Sequence, residues 1–171
     1  MSKTEQSREC SSCAACCEGW ISITVYGEEV SFGHPCPHTT SSGCNIYEKR
    51  PVDPCRTFKC GWLADGGLMP EWMRPDNAGV IVMFNKYSMA GRQVDAAIIV
   101  GGELSPRSSE WLENYTLQNE RSLIITGTVV NEVDNSSRTT IKLFGSDIFK
   151  KEIGDLIKSG RFSLAEWSLS A

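Results

Sequence analysis

The chain has 171 residues, of which 40% are hydrophobic, and it carries a formal net charge of −4. This length and composition suit one compact domain with a buried core, and no stretch approaches the roughly 20 apolar residues of a membrane span. The acidic charge disfavours binding to phosphate backbones, so we do not expect nucleic acid as a partner. Because no apolar stretch is long enough to span a membrane, we do not expect a membrane as a partner either.

The polar first nine residues are followed by a dense group of cysteines. Residues 1–9 lack the apolar core of a signal peptide, so we expect a disordered tail and a cytoplasmic protein whose thiols stay reduced. Four cysteines then follow in eight residues as C-x2-C-x2-C-C, and four more occur before residue 61. The eight cysteines are Cys10, Cys13, Cys16, Cys17, Cys36, Cys44, Cys55 and Cys60.

Thiols at this density in a reducing compartment predict a metal or iron–sulfur site in preference to disulfides. Adjacent Cys16 and Cys17 cannot easily pair with each other, because disulfide geometry is restrictive. Soft thiolates select zinc, Cu(I) or iron–sulfur clusters. Eight sulfurs suffice for two tetrahedral zinc sites, while C-x2-C-x2-C with a remote Cys36–Pro37 matches part of the ferredoxin pattern. The spacing leaves open zinc, a cluster, one of each, and one cluster with spare cysteines.

Two histidines bracket one of the cysteines. His34 and His38 flank Cys36 as H-P-C-P-H, and either could replace a thiolate or donate an N–H to a cluster sulfur. We favour the interpretation that they are loop histidines beside the site, because eight cysteines already supply enough ligands.

The segment between the two groups of cysteines is poor in regular patterns. Alternating apolar and hydroxyl residues predict a short strand over 20–25. Residues 31–54 are rich in Gly, Pro, Ser and Thr, so metal ligation would have to supply their order. Trp20 and Trp62 could form a hydrophobic wall around the site, although ordinary core packing is the interpretation that we favour.

The last two cysteines lie on a predicted helix. Pro54 suits the first turn of a helix that runs through Cys55 to about Leu63. On a regular helix Cys55 and Cys60 would point about 140° apart. Both can therefore reach one site only if the helix ends or bends near Lys59.

Three cations gather beside the same two cysteines. Arg50, Arg56 and Lys59 could offset thiolate charge at Cys55 and Cys60, or they could form a docking face for a protein partner. A solvated loop is an equally good interpretation of these residues.

The cysteine region resembles a known family. The segments that carry the resemblance are 10–17 (C-x2-C-x2-C-C), 34–37 (H-P-C-P), 43–51 (G-C-N-I-Y-E-K-R-P), 55–60 (C-R-T-F-K-C) and the continuation over 69–76. They are similar to the CxxCxxCC cysteine-cluster proteins, which are described as zinc- or iron-chelating proteins, and to a module of flagellin lysine N-methylases. The resemblance implies that all eight cysteines are metal ligands. It implies less about a biological role, because the family is defined mainly by its cysteines.

Apolar runs predict four strands downstream, over 78–84, 94–100, 123–130 and 139–144. Ser105 and Pro106 mark the start of a helix with Trp111, Leu112 and Tyr115 as its apolar stripe. Ser146 marks a second start. The residues expected to face inward on this second helix, which ends before Gly160, are Ile148, Phe149, Ile153, Leu156 and Ile157.

These elements predict an α+β fold, in which a cysteine-rich metal module packs on a mostly antiparallel sheet with two or three helices. We divide the chain into a tail (1–9), a metal-binding module (10–65) and an α+β domain (66–171) that forms one unit with the module. The Gly101–Gly102 pair after a strand is expected to be a turn, because no third glycine completes a nucleotide-binding loop.

No catalytic constellation is visible outside the predicted metal site, so the sequence leaves open whether the protein is an enzyme. The function that we predict is binding of zinc or an iron–sulfur cluster by cysteine thiolates, for a chelating or structural purpose. The alternative is a redox-active iron–sulfur protein that supports electron transfer or an oxidoreductase.

Overall fold

The protein is described here as a computed structural model, which covers residues 8–10, 12–64, 68–89, 91–131 and 133–162. The predicted tail lies outside the described residues up to residue 7. Arg8, which we expected in that tail, is instead bound to the body of the protein. Its guanidinium donates to the carbonyl oxygens of Trp62 (2.7 Å) and Met69 (2.6 Å).

The described residues from 8 to 78, which precede the sheet, are called the cysteine-rich part here and consist of short elements. Its strands and helices are β1 (Ile23–Val25), β2 (Glu28–Val30), β3 (Thr39–Thr40), β4 (Gly43–Cys44), α1 (Gly61–Ala64) and α2 (Pro75–Ala78). β1 pairs with β2 and β3 pairs with β4, both antiparallel. Single helical turns at Cys16–Trp20, Tyr47–Lys49, Val52–Arg56 and Glu71–Met73 connect these elements.

The remaining part is a four-stranded sheet with two long helices. Its elements are β5 (Val80–Met89), β6 (Arg92–Ile99), α3 (Pro106–Gln118), β7 (Ser122–Val130), β8 (Ser137–Phe144) and α4 (Asp147–Lys158). The strands lie in chain order, and only the β6–β7 pair is parallel, because α3 crosses over between them. The α+β fold with a mostly antiparallel sheet is therefore confirmed, as are the four predicted strands.

The sheet is covered on both faces. Leu123 and Ile125 of β7 face the side of α3, where Leu112 and the buried residues of the cysteine-rich part join the same core. Ile124 points the other way, onto Phe149 and Ile153 of α4. The cysteine-rich part and the sheet consequently share one hydrophobic core.

The predicted helix starts are confirmed by their caps. The hydroxyl of Ser105 accepts a hydrogen bond from the Ser108 N–H (3.1 Å), and that of Ser146 accepts one from the Phe149 N–H (3.2 Å). The inward set of the second helix is partly wrong, since Ile148 is 66% exposed and Ile157 is 39% exposed. This helix packs on the sheet with one face only, and Ile148 and Ile157 lie outside that face.

Two predicted elements of the cysteine-rich part are shorter than expected. The strand over 20–25 is limited to Ile23–Val25, and Trp20 belongs instead to the helical turn that ends there. The helix from Pro54 to about Leu63 is interrupted, with a turn at Val52–Arg56 and α1 at Gly61–Ala64. The break falls between Cys55 and Cys60, near Lys59, which is the bend that a shared site would require.

A buried ion pair joins the sheet strands. The carboxylate of Asp95 on β6 is fully buried, and it accepts hydrogen bonds from Nε of Arg121 (3.0 Å) and from the Asn85 N–H (2.8 Å). Arg121 also donates to the Asn85 side chain (2.6 Å), at the place where the β5–β6 register is irregular. The pair thus fixes an irregular strand and satisfies a buried charge.

We expect Arg121→Leu to lower the free energy of unfolding by about 3 kcal/mol, because it leaves the Asp95 carboxylate buried without its cation. Lys151→Leu is the control, since its ion pair with Asp155 is exposed, and we expect a change below about 0.5 kcal/mol. Urea unfolding of both variants at equal metal content measures the difference. Equal effects in the two variants would contradict a supporting role for the pair.

Candidate functional site

The first four cysteines are set by a tight loop. The Cys13 N–H donates to the Cys10 carbonyl (2.9 Å), which closes the first C-x2-C turn. The chain then enters the helical turn Cys16–Trp20, where Gly19 has a φ of 90°. A Cβ at Gly19 would lie 2.1 Å from the carbonyl oxygen of Ser31, so only glycine allows this approach.

The next two cysteines are tied to the same loop by its backbone. The Cys17 carbonyl accepts hydrogen bonds from the Cys36 N–H (2.7 Å) and from the Thr39 hydroxyl (3.2 Å). Thr39 on β3 pairs with Cys44 on β4. A single carbonyl group therefore positions two later segments around Cys17.

All eight cysteines line one cavity with a volume of about 80 Å³. This volume exceeds the roughly 10–15 Å³ that a single water requires. The structure thus brings together every predicted ligand, although the first and last are fifty positions apart in sequence. The apolar side chains in the same wall include Ile23, Val25, Ile46, Phe58, Trp62 and Leu63.

The cysteines face the cavity without closing on a common point. All eight are free thiols. Within the described part of the chain, no group of three or more His, Cys, Asp or Glu side chains is arranged to hold a metal ion.

The cysteines around the cavity pack against two different hydrophobic cores. Cys13, Cys16 and Cys60 pack against the main core that the cysteine-rich part shares with the sheet. A separate small core is formed around β1 and β2, and the cysteines in it are Cys17, Cys36 and Cys55.

Burial disfavours the charged form of these thiols. It raises the pKa of Cys17 to about 12 and that of Cys16 well above its ordinary value. Neighbouring cysteine charges add to both increases. Burial also raises the pKa values of Cys13, Cys55 and Cys60.

Backbone N–H groups oppose this effect at two sulfurs. After burial, the largest influences on the pKa of Cys13 are the N–H groups of Ala15 and Asp76, which lower it. The Leu63 N–H lowers the pKa of Cys60 in the same way. These donors favour thiolate, which is the form that a metal binds.

The two histidines differ in position. His34 is exposed and exchanges backbone hydrogen bonds with Ser31 (2.7 and 3.0 Å). His38 is half-buried, lines the cavity and packs edge-on against Tyr26 with ring centroids 6.2 Å apart. Only His38 of the two lies beside the cysteines.

Two of the three cations brace the backbone. Arg50 lies over the ring of Tyr47 at 3.6 Å and donates to its carbonyl (2.8 Å). Arg56 donates to the carbonyls of Arg50 (3.1 Å) and Glu48 (2.7 Å). Lys59 is exposed. The two arginines therefore hold the loop around Cys55 together.

Sequence reasoning assigned no role to Tyr47, whose hydroxyl lies 3.9 Å from Sγ of Cys10, within reach of a weak S–H donor. It also missed that two donors are buried without a hydrogen-bond partner among the described residues. These are Nε1 of Trp62 and Nε of Arg50, whose side chains border the cavity. No pattern in the sequence marks them, because a missing partner is visible only after folding.

Comparison of the chain with protein-family models, with curated proteins and with solved structures finds no match. The resemblance to cysteine-cluster proteins therefore rests on the motifs quoted above. None of the described helices is both long enough and apolar enough to cross a membrane.

We expect Gly19→Ala to destabilise the cysteine-rich part by more than the 1–2 kcal/mol that a left-handed residue with a side chain costs, because its Cβ would also strike Ser31. Gly27→Ala is the matched control. Gly27 has a φ of 87° but nothing within 4 Å of a built Cβ, so backbone strain is its only penalty. Chemical denaturation and thiol accessibility would compare the two, and equal losses would contradict the close approach at Gly19.

Proposed function

We propose that this protein binds zinc or iron, the latter as an iron–sulfur cluster, through cysteine thiolates, and that the metal is chelated or structural. The observation that carries the proposal is the convergence of eight cysteines from separate segments on one largely apolar cavity. A single buried cysteine behaves as a small hydrophobe. Eight around a common space offer a set of soft ligands that suits zinc and iron–sulfur clusters.

The packing supports the same conclusion. Protein interiors are close-packed and hold few voids larger than a water molecule. A space of about 80 Å³ between thiols is costly unless something fills it. A metal bound between the sulfurs would fill this void.

The chemistry of the thiols favours a cation. Burial raises the pKa of Cys16 and Cys17, so it disfavours the thiolate form of both groups unless a positive charge lies nearby. A bound metal displaces the protons and supplies the charge that the buried thiolates need. Its binding free energy then contributes to folding.

A structural role is supported by the weakness of the elements that carry the cysteines. β1 and β2 have three residues each, and β3 and β4 have two. Isolated hairpins are at best marginally stable in water. A metal that joins these hairpins to α1 would brace them against the sheet.

A redox role is the second candidate, and the apolar wall favours it. Ile23, Val25 and Phe58 line the cavity and would limit the access of water to a cluster. Burial of this kind is one of the factors that set the potential of an iron–sulfur centre.

Elemental analysis of protein purified without oxygen tests metal binding. We expect stoichiometric zinc or iron in the wild type, and a loss of metal in Cys13→Ser and in Cys55→Ser because each removes one soft ligand. His34→Ala is the control, and its metal content should equal that of the wild type, since His34 lies away from the cavity wall. Unchanged metal content in both cysteine variants would contradict the proposal.

Acid-labile sulfide and the visible spectrum separate the two roles. A colourless protein with zinc supports a structural or chelating role. Iron with sulfide and an absorption band that bleaches with dithionite supports the redox role.

A further inference from the structure

We propose that the eight cysteines form two separate four-thiolate centres. The first set is Cys10, Cys13, Cys16 and Cys60, and the second set is Cys17, Cys36, Cys44 and Cys55. The inference deepens the proposed metal binding and rests on it.

The division begins at the adjacent pair. Cys16 and Cys17 are neighbours at the start of a helical turn, where successive side chains point in different directions. Cys16 packs on the main core, which the sheet shares, while Cys17 packs on the small core of β1 and β2. The two thiols therefore approach the cavity from different cores.

The first set is assembled from one turn and one helix start. Cys13 and Cys60 pack in the same core as Cys16. Cys10 lies in the same turn as Cys13, because the Cys13 N–H donates to its carbonyl (2.9 Å). The set has three members from one short loop and a fourth from the residue before α1.

The second set is assembled by the Cys17 carbonyl. It binds the Cys36 N–H at 2.7 Å and the Thr39 hydroxyl at 3.2 Å, and Thr39 is the strand partner of Cys44. Cys55 and Cys36 complete the small core beside Cys17. These contacts hold one cysteine from each of four segments.

Two buried donors at the cavity have no acceptor among the described residues. One is the Nε1–H of Trp62, which belongs to the core of the first set, and the other is the Nε–H of Arg50. A metal-bound sulfur is an acceptor that would satisfy a donor of this kind.

The count of ligands agrees with two centres. Four thiolates complete a tetrahedral zinc site, and four also hold one iron–sulfur cluster. The division uses every cysteine once and needs neither histidine as a ligand.

Loading of the full-length chain with Co²⁺ under exclusion of oxygen tests the division. We expect two Co²⁺ per wild-type chain, each with the spectrum of a four-sulfur tetrahedral site. Cys13→Ala/Cys60→Ala and Cys36→Ala/Cys55→Ala each remove two ligands from one set. Each should retain half of the wild-type four-sulfur absorption, because the other centre is intact.

Cys36→Ala/Cys60→Ala is the matched control, since it removes the same number of cysteines but one from each set. The two residues are 5% and 6% exposed, so their loss disturbs packing to a similar extent. We expect this variant to lose the four-sulfur absorption altogether. Equal retention in all three double variants would overturn the division.

The wild type supplies a measurement that does not depend on how the variants fold. Two centres without a shared thiolate give a high-spin Co²⁺ magnetic moment that grows linearly to two equivalents. Thiolates that bridge the ions would couple them and reduce the moment at the second equivalent, which would overturn the division. A wild type that binds no metal would defeat the proposed function as well, whereas one centre per chain would defeat the division alone.

Discussion

The grouping of eight buried or half-buried thiols around one cavity is the constraint on which the cysteine-rich part depends. A thiol tolerates apolar surroundings, but a thiolate there needs a cation or hydrogen-bond donors. Backbone N–H groups near Cys13 and Cys60 supply some of these donors. Burial nevertheless keeps the pKa values of these two thiols raised. A soft metal ion would resolve this conflict, because it provides the charge and fills the space between the sulfurs.

The sheet supports the site through α1. α1, which follows Cys60 directly, lies against β5 because Gly61 has no side chain: a Cβ there would lie 2.8 Å from the ring of Phe84. Arg8 also binds the backbone at Trp62 and Met69. The cysteines thus lie between the main core and two small hairpins. We therefore expect metal binding to be coupled to the folding of residues 8–64.

The sheet and its helices were predictable because their signals are local. Runs of apolar residues predicted four strands. The caps at Ser105 and Ser146 follow from the preference of serine for the N-cap, the residue just before the first helical residue. The sequence predicted a helix from Pro54 to about Leu63, and it gave a bend near Lys59 only as the condition for a site shared by Cys55 and Cys60. The bend itself depends on contacts that these residues make with distant segments. The exposure of Ile148 was not predicted, since periodicity alone does not say how wide a stripe the sheet covers.

The sequence by itself determined the chemistry of the candidate site: the number, type and spacing of the cysteines define a set of soft ligands whatever the fold. The tertiary structure decided how they are placed. Which core Cys16 and Cys17 pack against, which histidine lies beside the cysteines, and which buried donors lack a partner among the described residues all depend on contacts between residues far apart in the chain. Such contacts form only when the hairpins close on the sheet, so no local pattern encodes them.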